Sequence, residues 1–181
     1  MTAASKTPLS FDTHGDAGPR VILVHGSGTD RHTWDAVLPR FARQCRVTAY
    51  DRRGGDEVHD LEALIEQLHA TPVHVVGNGS GADIALALIV ERPDLFASAS
   101  LHEPALTTID PADLSSFGAP LLLTYGDQSP ASRRDKLDDI ADVLPRAQRH
   151  VFRGAGYAPH LTHPDDYALV VSSFINGVQS L

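Results

Sequence analysis

Val73-His74-Val75-Val76-Gly77-Asn78-Gly79-Ser80-Gly81-Ala82 leads from an apolar run, through a turn with glycine at every second position, into the helical pattern of Ala82–Glu91. A strand, a tight small-residue turn and a helix in immediate succession are the unit from which a parallel sheet with crossover helices is built. Glycine suits such a turn because it adopts unusual backbone angles at little steric cost. The run reads G-x-G-x-G rather than G-x-G-x-x-G, and no acidic residue closes a second strand about twenty positions on. Dinucleotide binding is therefore not the reading, and no cofactor is expected.

Outward from this unit the same alternation continues. Val21-Ile22-Leu23-Val24, Arg46-Val47-Thr48-Ala49-Tyr50 and Leu121-Leu122-Leu123-Thr124-Tyr125 are short apolar runs of the kind covered on both faces, with weaker ones at Phe96 to Leu101 and Ala147 to Phe152. Helices are expected at Thr33–Arg43, Asp56–Ala70, Ala82–Glu91, Ser132–Leu144 and Pro164–Asn176. In the second of these, Val58, Leu61, Leu64, Ile65 and Leu68 form one apolar stripe. The fold class is α/β: a mostly parallel sheet with helices on both faces, over a single domain spanning 1–181. Ligands of such sheets sit at the carboxyl ends of the strands, here near His25, Asp51, Asn78, His102, Gly126 and Arg153. Pro104 to Pro120 breaks the alternation with one helical candidate, Pro111–Phe117, too short for a substantial lid.

The 181 residues, 42% hydrophobic and 21% charged, describe a soluble globular chain. A net charge of -8 argues against nucleic acid or an anionic membrane as partner. Cys45 is the only cysteine, which excludes an intramolecular disulfide. Met1 to Ser10 has no apolar core of a leader, and no apolar stretch is long enough to span a bilayer, so cytoplasmic residence is expected. The 10 histidines show no H-E-x-x-H and no ligand spacing, and no metal is expected.

Four segments in order resemble the α/β-hydrolase superfamily. They are Val24-His25-Gly26-Ser27-Gly28 with Trp34, like its oxyanion loop; Ala49-Tyr50-Asp51-Arg52-Arg53-Gly54, like a strand-end turn; Val75 to Ala82, like its nucleophile elbow; and Tyr125-Gly126-Asp127 with Gly154-Ala155-Gly156-Tyr157, like its acid and histidine loops. The elbow has the form G-x-S-x-G. With Gly77 and Gly81 on the outer glycines, Gly79 takes the nucleophile position. In the other register Ser80 is the nucleophile, flanked by Asn78 and Ala82, which puts a bulkier residue where close packing wants a small one. In the histidine loop, Tyr157 stands where the resemblance implies the base, and a phenol of pKa about 10 is a poor base at neutral pH.

Two substitutions with the scaffold retained point to a non-hydrolytic enzyme. It would be a cyclase, dehydratase, isomerase or lyase for a small carbonyl-containing or polyketide-like molecule. The resemblance implies an oxyanion hole from the backbone N–H groups of Ser27 and Ser80, with His25, Gly26 and Gly79 around it. Tyr157 would donate a hydrogen bond, and Asp127 or His102 would move a proton. Each has a plainer role open to it: Asp127 satisfied by loop N–H groups, His102 and His25 as braces. A non-catalytic small-molecule-binding protein and a serine esterase using Ser80 with His160 remain open. His160 and His163 otherwise serve the loop and the start of the last helix. The open face leaves room for a homodimer in which a second subunit covers the site.

Overall fold

The apolar runs pair side by side into one seven-stranded sheet in the computed structural model, which describes residues 8–106, 109–144 and 146–180. Met1–Thr7, part of the N-terminal stretch read above, lie outside the described residues. The strands are β1 (Phe11–His14), β2 (Arg20–Val24), β3 (Arg46–Tyr50), β4 (Val73–Asn78), β5 (Phe96–His102), β6 (Leu121–Gly126) and β7 (Ala147–Phe152). Their order is β1-β3-β2-β4-β5-β6-β7, and only β1, which pairs with β3, is antiparallel. β1 has no apolar run to announce it: Asp12, Thr13 and His14 are exposed, and the strand is held by its pairing with β3 and by Phe11, partly buried against the core.

Alternating side chains of each strand point to opposite faces, and two cores result. Ile22, Val24, Val75 and Leu123 pack with α2 (Glu57–Gln67), α3 (Ser80–Glu91) and α4 (Ala131–Val143). Val21, Leu23, Val76 and Leu122 face Trp34, α1 (Leu38–Phe41) and α6 (Pro164–Gln179). A single turn, α5 (Pro159–Thr162), precedes α6. All the strand ends expected to carry chemistry lie along one edge, and β4 turns directly into α3 through Gly79.

Two expected helices differ. Thr33–Arg43 is a 3-10 turn, Arg31–Trp34, followed by the short α1, because Pro39 donates no hydrogen bond and is tolerated only at a helix start. Pro111–Phe117 is likewise a 3-10 turn, Pro111–Ser116, started by Pro111 and by Asp110, whose side chain accepts the Ala112 N–H. Among the described residues no long lid stands over the strand ends. Among the described residues no helix is long and apolar enough to cross a membrane.

Candidate functional site

Gly79 decides the register of the elbow. Its φ of 54° and ψ of -120° form the strained corner between β4 and α3, whereas Ser80 is already the first residue of the helix. The corner is tied down by the Gly79 N–H, which donates to the His102 carbonyl at 2.8 Å, and by its carbonyl, which accepts from the Ala82 N–H at 2.9 Å. A β-carbon on Gly81 would overlap the Val24 carbonyl, and one on Gly77 would lie 2.7 Å from the Ala82 Cα. Both flanking positions therefore exclude larger residues, and Gly79 is the residue at the corner between them.

The space above Gly79 is filled by Tyr157. A β-carbon on Gly79 would overlap the Tyr157 hydroxyl oxygen and lie 2.5 Å from its Cζ; one on Gly26 would lie 2.8 Å from the same oxygen. The phenol thus sits between the oxyanion turn and the elbow, in the volume a nucleophilic side chain would take. Burial raises the pKa of this half-exposed phenol; Arg133 and Arg52 act against the rise, Asp83 and Glu103 with it. At neutral pH it is a hydrogen-bond donor.

The backbone N–H groups of Ser27 and Ser80 follow directly on Gly26 and Gly79, the two glycines whose β-carbon positions face the Tyr157 hydroxyl. Neither Ser27 nor Ser80 donates its N–H to a described backbone carbonyl in a turn or cap, and a first-turn N–H has no partner within its own helix. The Ser27 and Ser80 hydroxyls are 2.7 Å apart. Arg52 holds them in place: its Nη1 donates to Ser80 Oγ at 2.8 Å and to the His25 carbonyl at 2.9 Å, while Nε and Nη2 form a two-pronged pair with Glu57 at 2.9 and 2.8 Å. His25 is a brace. Its Nδ1 lies 2.8 Å from the Gly26 carbonyl and its Nε2 accepts the Arg52 N–H at 3.1 Å.

The expected proton carriers are elsewhere engaged. Asp127 is exposed; its Oδ1 accepts the Gly154 N–H at 2.8 Å and the Gln128 amide at 3.1 Å, and no described hydrogen bond joins it to Tyr157. It fastens the acid loop to the start of the Tyr157 loop through the backbone. His102 is buried, with Nδ1 2.9 Å from Thr124 Oγ1 and Nε2 3.2 Å from the Gly156 carbonyl. Burial pushes its pKa down to about 4, only partly offset by that carbonyl, and a base must reach the proton it takes. His160 is buried against Trp34, ring centroids 4.5 Å apart, with Nε2 3.0 Å from Thr33 Oγ1 and a pKa pushed down to about 4 by burial. It is not near Ser80 in any described hydrogen bond.

Two acidic residues escaped the sequence reading. Glu103, 1% exposed at a φ of 46°, accepts the Gly126 N–H at 3.0 Å. Asp83 accepts the N–H groups of Ala105 and Leu106 at 3.2 and 2.9 Å, pinning the loop after β5. Only the position of Glu103, next to a strand-end histidine, signalled it. The larger cavities, about 460 and 380 Å³, lie between β7 and α6 at the far edge of the sheet. One of about 190 Å³ lies beside Asp127, lined by Tyr125, Ser129 and Arg134.

This geometry has known relatives. Residues 21–98 match the Alpha/beta hydrolase family. The chain has the α/β-hydrolase fold. It is 35% identical over 138 residues to a pimeloyl-(acyl-carrier protein) methyl ester esterase of Neisseria meningitidis, an alignment covering 71% of this chain and 43% of that protein. It is 32% identical over 105 residues to the uncharacterized hydrolase YraK of Bacillus subtilis, covering 50% and 39%. The chain thus spans about two fifths of the length of the curated relatives it matches. Among solved structures, the putative non-heme bromoperoxidase BpoC of Mycobacterium tuberculosis superposes with a TM-score of 0.83 at 20% identity, over 95% of this chain and 97% of that one. The enol-lactonase of Burkholderia xenovorans does so at 0.80 and 15%, over 93% and 96%. At these identities the superpositions speak for the fold.

Proposed function

We propose that this α/β-hydrolase-fold protein binds a small carbonyl-containing molecule without forming a covalent serine intermediate. The observation that carries the reading is the Tyr157 hydroxyl in the space of a nucleophile side chain, beside the backbone N–H groups of Ser27 and Ser80. A carbonyl or carboxylate oxygen brought to that spot meets two backbone donors and a phenol, the elements that stabilise negative charge on oxygen. The relatives are named as an esterase, a hydrolase, a bromoperoxidase and an enol-lactonase, which supports acyl or carbonyl compounds as the ligand class. Ester hydrolysis through a serine would need a side chain that Gly79 lacks. Ser80 does not replace it: its hydroxyl is engaged by Ser27 and Arg52, with no histidine on it. The partner is a small molecule rather than nucleic acid or membrane, the site is open to the surface of a cytoplasmic protein, and a second copy of the chain is its natural cover.

Non-hydrolytic turnover, as a cyclase, dehydratase, isomerase or lyase, is the second reading. It is favoured by the neutral phenol next to the two N–H donors, an acid poised at an oxyanion. It is disfavoured as first choice because Asp127 and His102, the side chains expected to move a proton, are held in scaffold hydrogen bonds. Mass spectrometry of small molecules recovered from the purified protein, before and after incubation, separates the two. An unchanged ligand is expected, and a converted one would establish the enzyme. Both readings require that a fluorophosphonate probe leave the protein unlabelled; labelling lost in Ser80→Ala would overturn them.

A further inference from the structure

The place of Tyr157 is set from below by one residue at the end of β5. The His102 carbonyl accepts the Gly79 N–H at 2.8 Å, and its imidazole Nε2 lies 3.2 Å from the carbonyl of Gly156, the residue before Tyr157. The same residue therefore grips the elbow with its backbone and the Tyr157 loop with its ring. The ring is buried and neutral, so Nε2–H donates to Gly156 while Nδ1 accepts from the Thr124 hydroxyl at 2.9 Å. Glu103 completes the clamp. Its Oε1 lies 3.5 Å from His102 Nε2 and 3.0 Å from the Gly126 nitrogen, whose N–H it accepts. Gly126 in turn rests on the Tyr157 loop so closely that a β-carbon there would overlap the Ala155 carbonyl. The Glu103 backbone is held at a φ of 46°, a conformation that non-glycine residues rarely adopt and that surrounding contacts must enforce.

We propose that His102, with Glu103 behind it, is a positioning residue that fixes the Tyr157 hydroxyl over Gly79, and not a proton carrier. The inference rests on the reading of Tyr157 as the group that meets the ligand. Its test, however, reads the place of the phenol with no ligand present, so it can fail while carbonyl binding stands, and the reverse.

The test is ¹⁹F NMR of the protein labelled with 3-fluorotyrosine at its 4 tyrosines. The Tyr157 signal is assigned by its loss in Tyr157→Phe. In His102→Leu the Tyr157 signal is expected to move toward the value of a solvent-exposed fluorotyrosine, while those of Tyr50, Tyr125 and Tyr167 stay. In His102→Gln, whose amide can still donate to the Gly156 carbonyl, most of the native shift is expected to return. An unmoved Tyr157 signal in a folded His102→Leu protein would overturn the proposal. So would four signals moving together, since that reports general loosening. Should His102→Leu not fold, Thr124→Val decides in its place. It removes the partner of Nδ1, together with that hydroxyl's 3.5 Å contact to the Leu101 carbonyl, and a Tyr157 signal identical to that of the parent protein would overturn the proposal.

Discussion

At the scale of single residues, Gly79 and Tyr157 are fitted to one another. Gly79 leaves a gap above the elbow and Tyr157 fills it, so a side chain at position 79 would meet the phenol. A serine at position 79 would push its β-carbon into the phenol and adopt a φ of 54°, a strain of about 1–3 kcal/mol where nothing offsets it. Gly79→Ser is therefore expected to lower the melting temperature and to stay unlabelled by a fluorophosphonate. Gly79→Ser with Tyr157→His removes the obstruction and supplies a base on the same loop, which Asp127 already fastens through the Gly154 N–H. Labelling is expected in the double variant alone, read by gel fluorescence beside thermal denaturation. Equal labelling of the Gly79→Ser single variant would show that the phenol does not occupy the gap.

Among the elements, the oxyanion turn, α2 and α3 meet at one guanidinium. Arg52 pairs in two-pronged fashion with Glu57 at the start of α2, and its remaining nitrogen serves the His25 carbonyl and Ser80 Oγ. Only a planar fork can make those contacts at once, so a lysine is not equivalent. Arg52→Lys and Arg52→Ala are each expected to cost about 1.5–3 kcal/mol, the range for hydrogen bonds to charged groups, measured as a lowered urea midpoint. A lysine variant as stable as the parent would refute the fork. How legible these elements were follows from their physics. Strands buried on both faces announce themselves as apolar runs, so β2, β4 and β6 were plain, as was the elbow, whose glycines are demanded by the Ala82 backbone, the Tyr157 ring and the Val24 carbonyl. β1 was hidden because an edge strand with exposed side chains needs no apolar residues. α1 is shorter than the expected Thr33–Arg43 because Pro39, which donates no hydrogen bond, is tolerated only at a helix start. The site was legible as positions and opaque as contacts. His102 and Asp127 stood at the right strand ends, yet no spacing says which way a side chain turns, and Glu103 owes its burial to a backbone angle that sequence does not display.

For the whole molecule, three buried histidines carry the pH dependence. His74 has Nδ1 2.7 Å from Ser98 Oγ and accepts the Gln179 amide on Nε2 at 2.8 Å; His102 and His160 lie beneath the site. Burial pushes the pKa of each down to about 4 from an ordinary value near 6.5. Between those values the unfolded chain binds protons that the folded chain refuses. Stability is therefore complete above about pH 6.5, falls as pH drops toward 4, and levels off below that as the folded histidines also charge. A displacement of this size corresponds to about 3 kcal/mol for His102 and similarly for His160. Two such terms are comparable with the ~5–15 kcal/mol total stability of a domain. Asp12 and Asp94, whose carboxyls Arg31 and Arg92 hold below the ordinary range, lose their pairing only at still lower pH, so the histidine window is read free of them. The melting temperature, followed by circular dichroism, is expected to be flat from pH 8 to 7 and to fall steeply from 6.5 to 4.5. In His160→Asn, which cannot take up a proton, the fall should be shallower even if the starting value is lower. A curve that stays level to pH 4.5 would mean that these rings take up protons in the folded protein as readily as in the unfolded chain, and that burial does not hold them neutral.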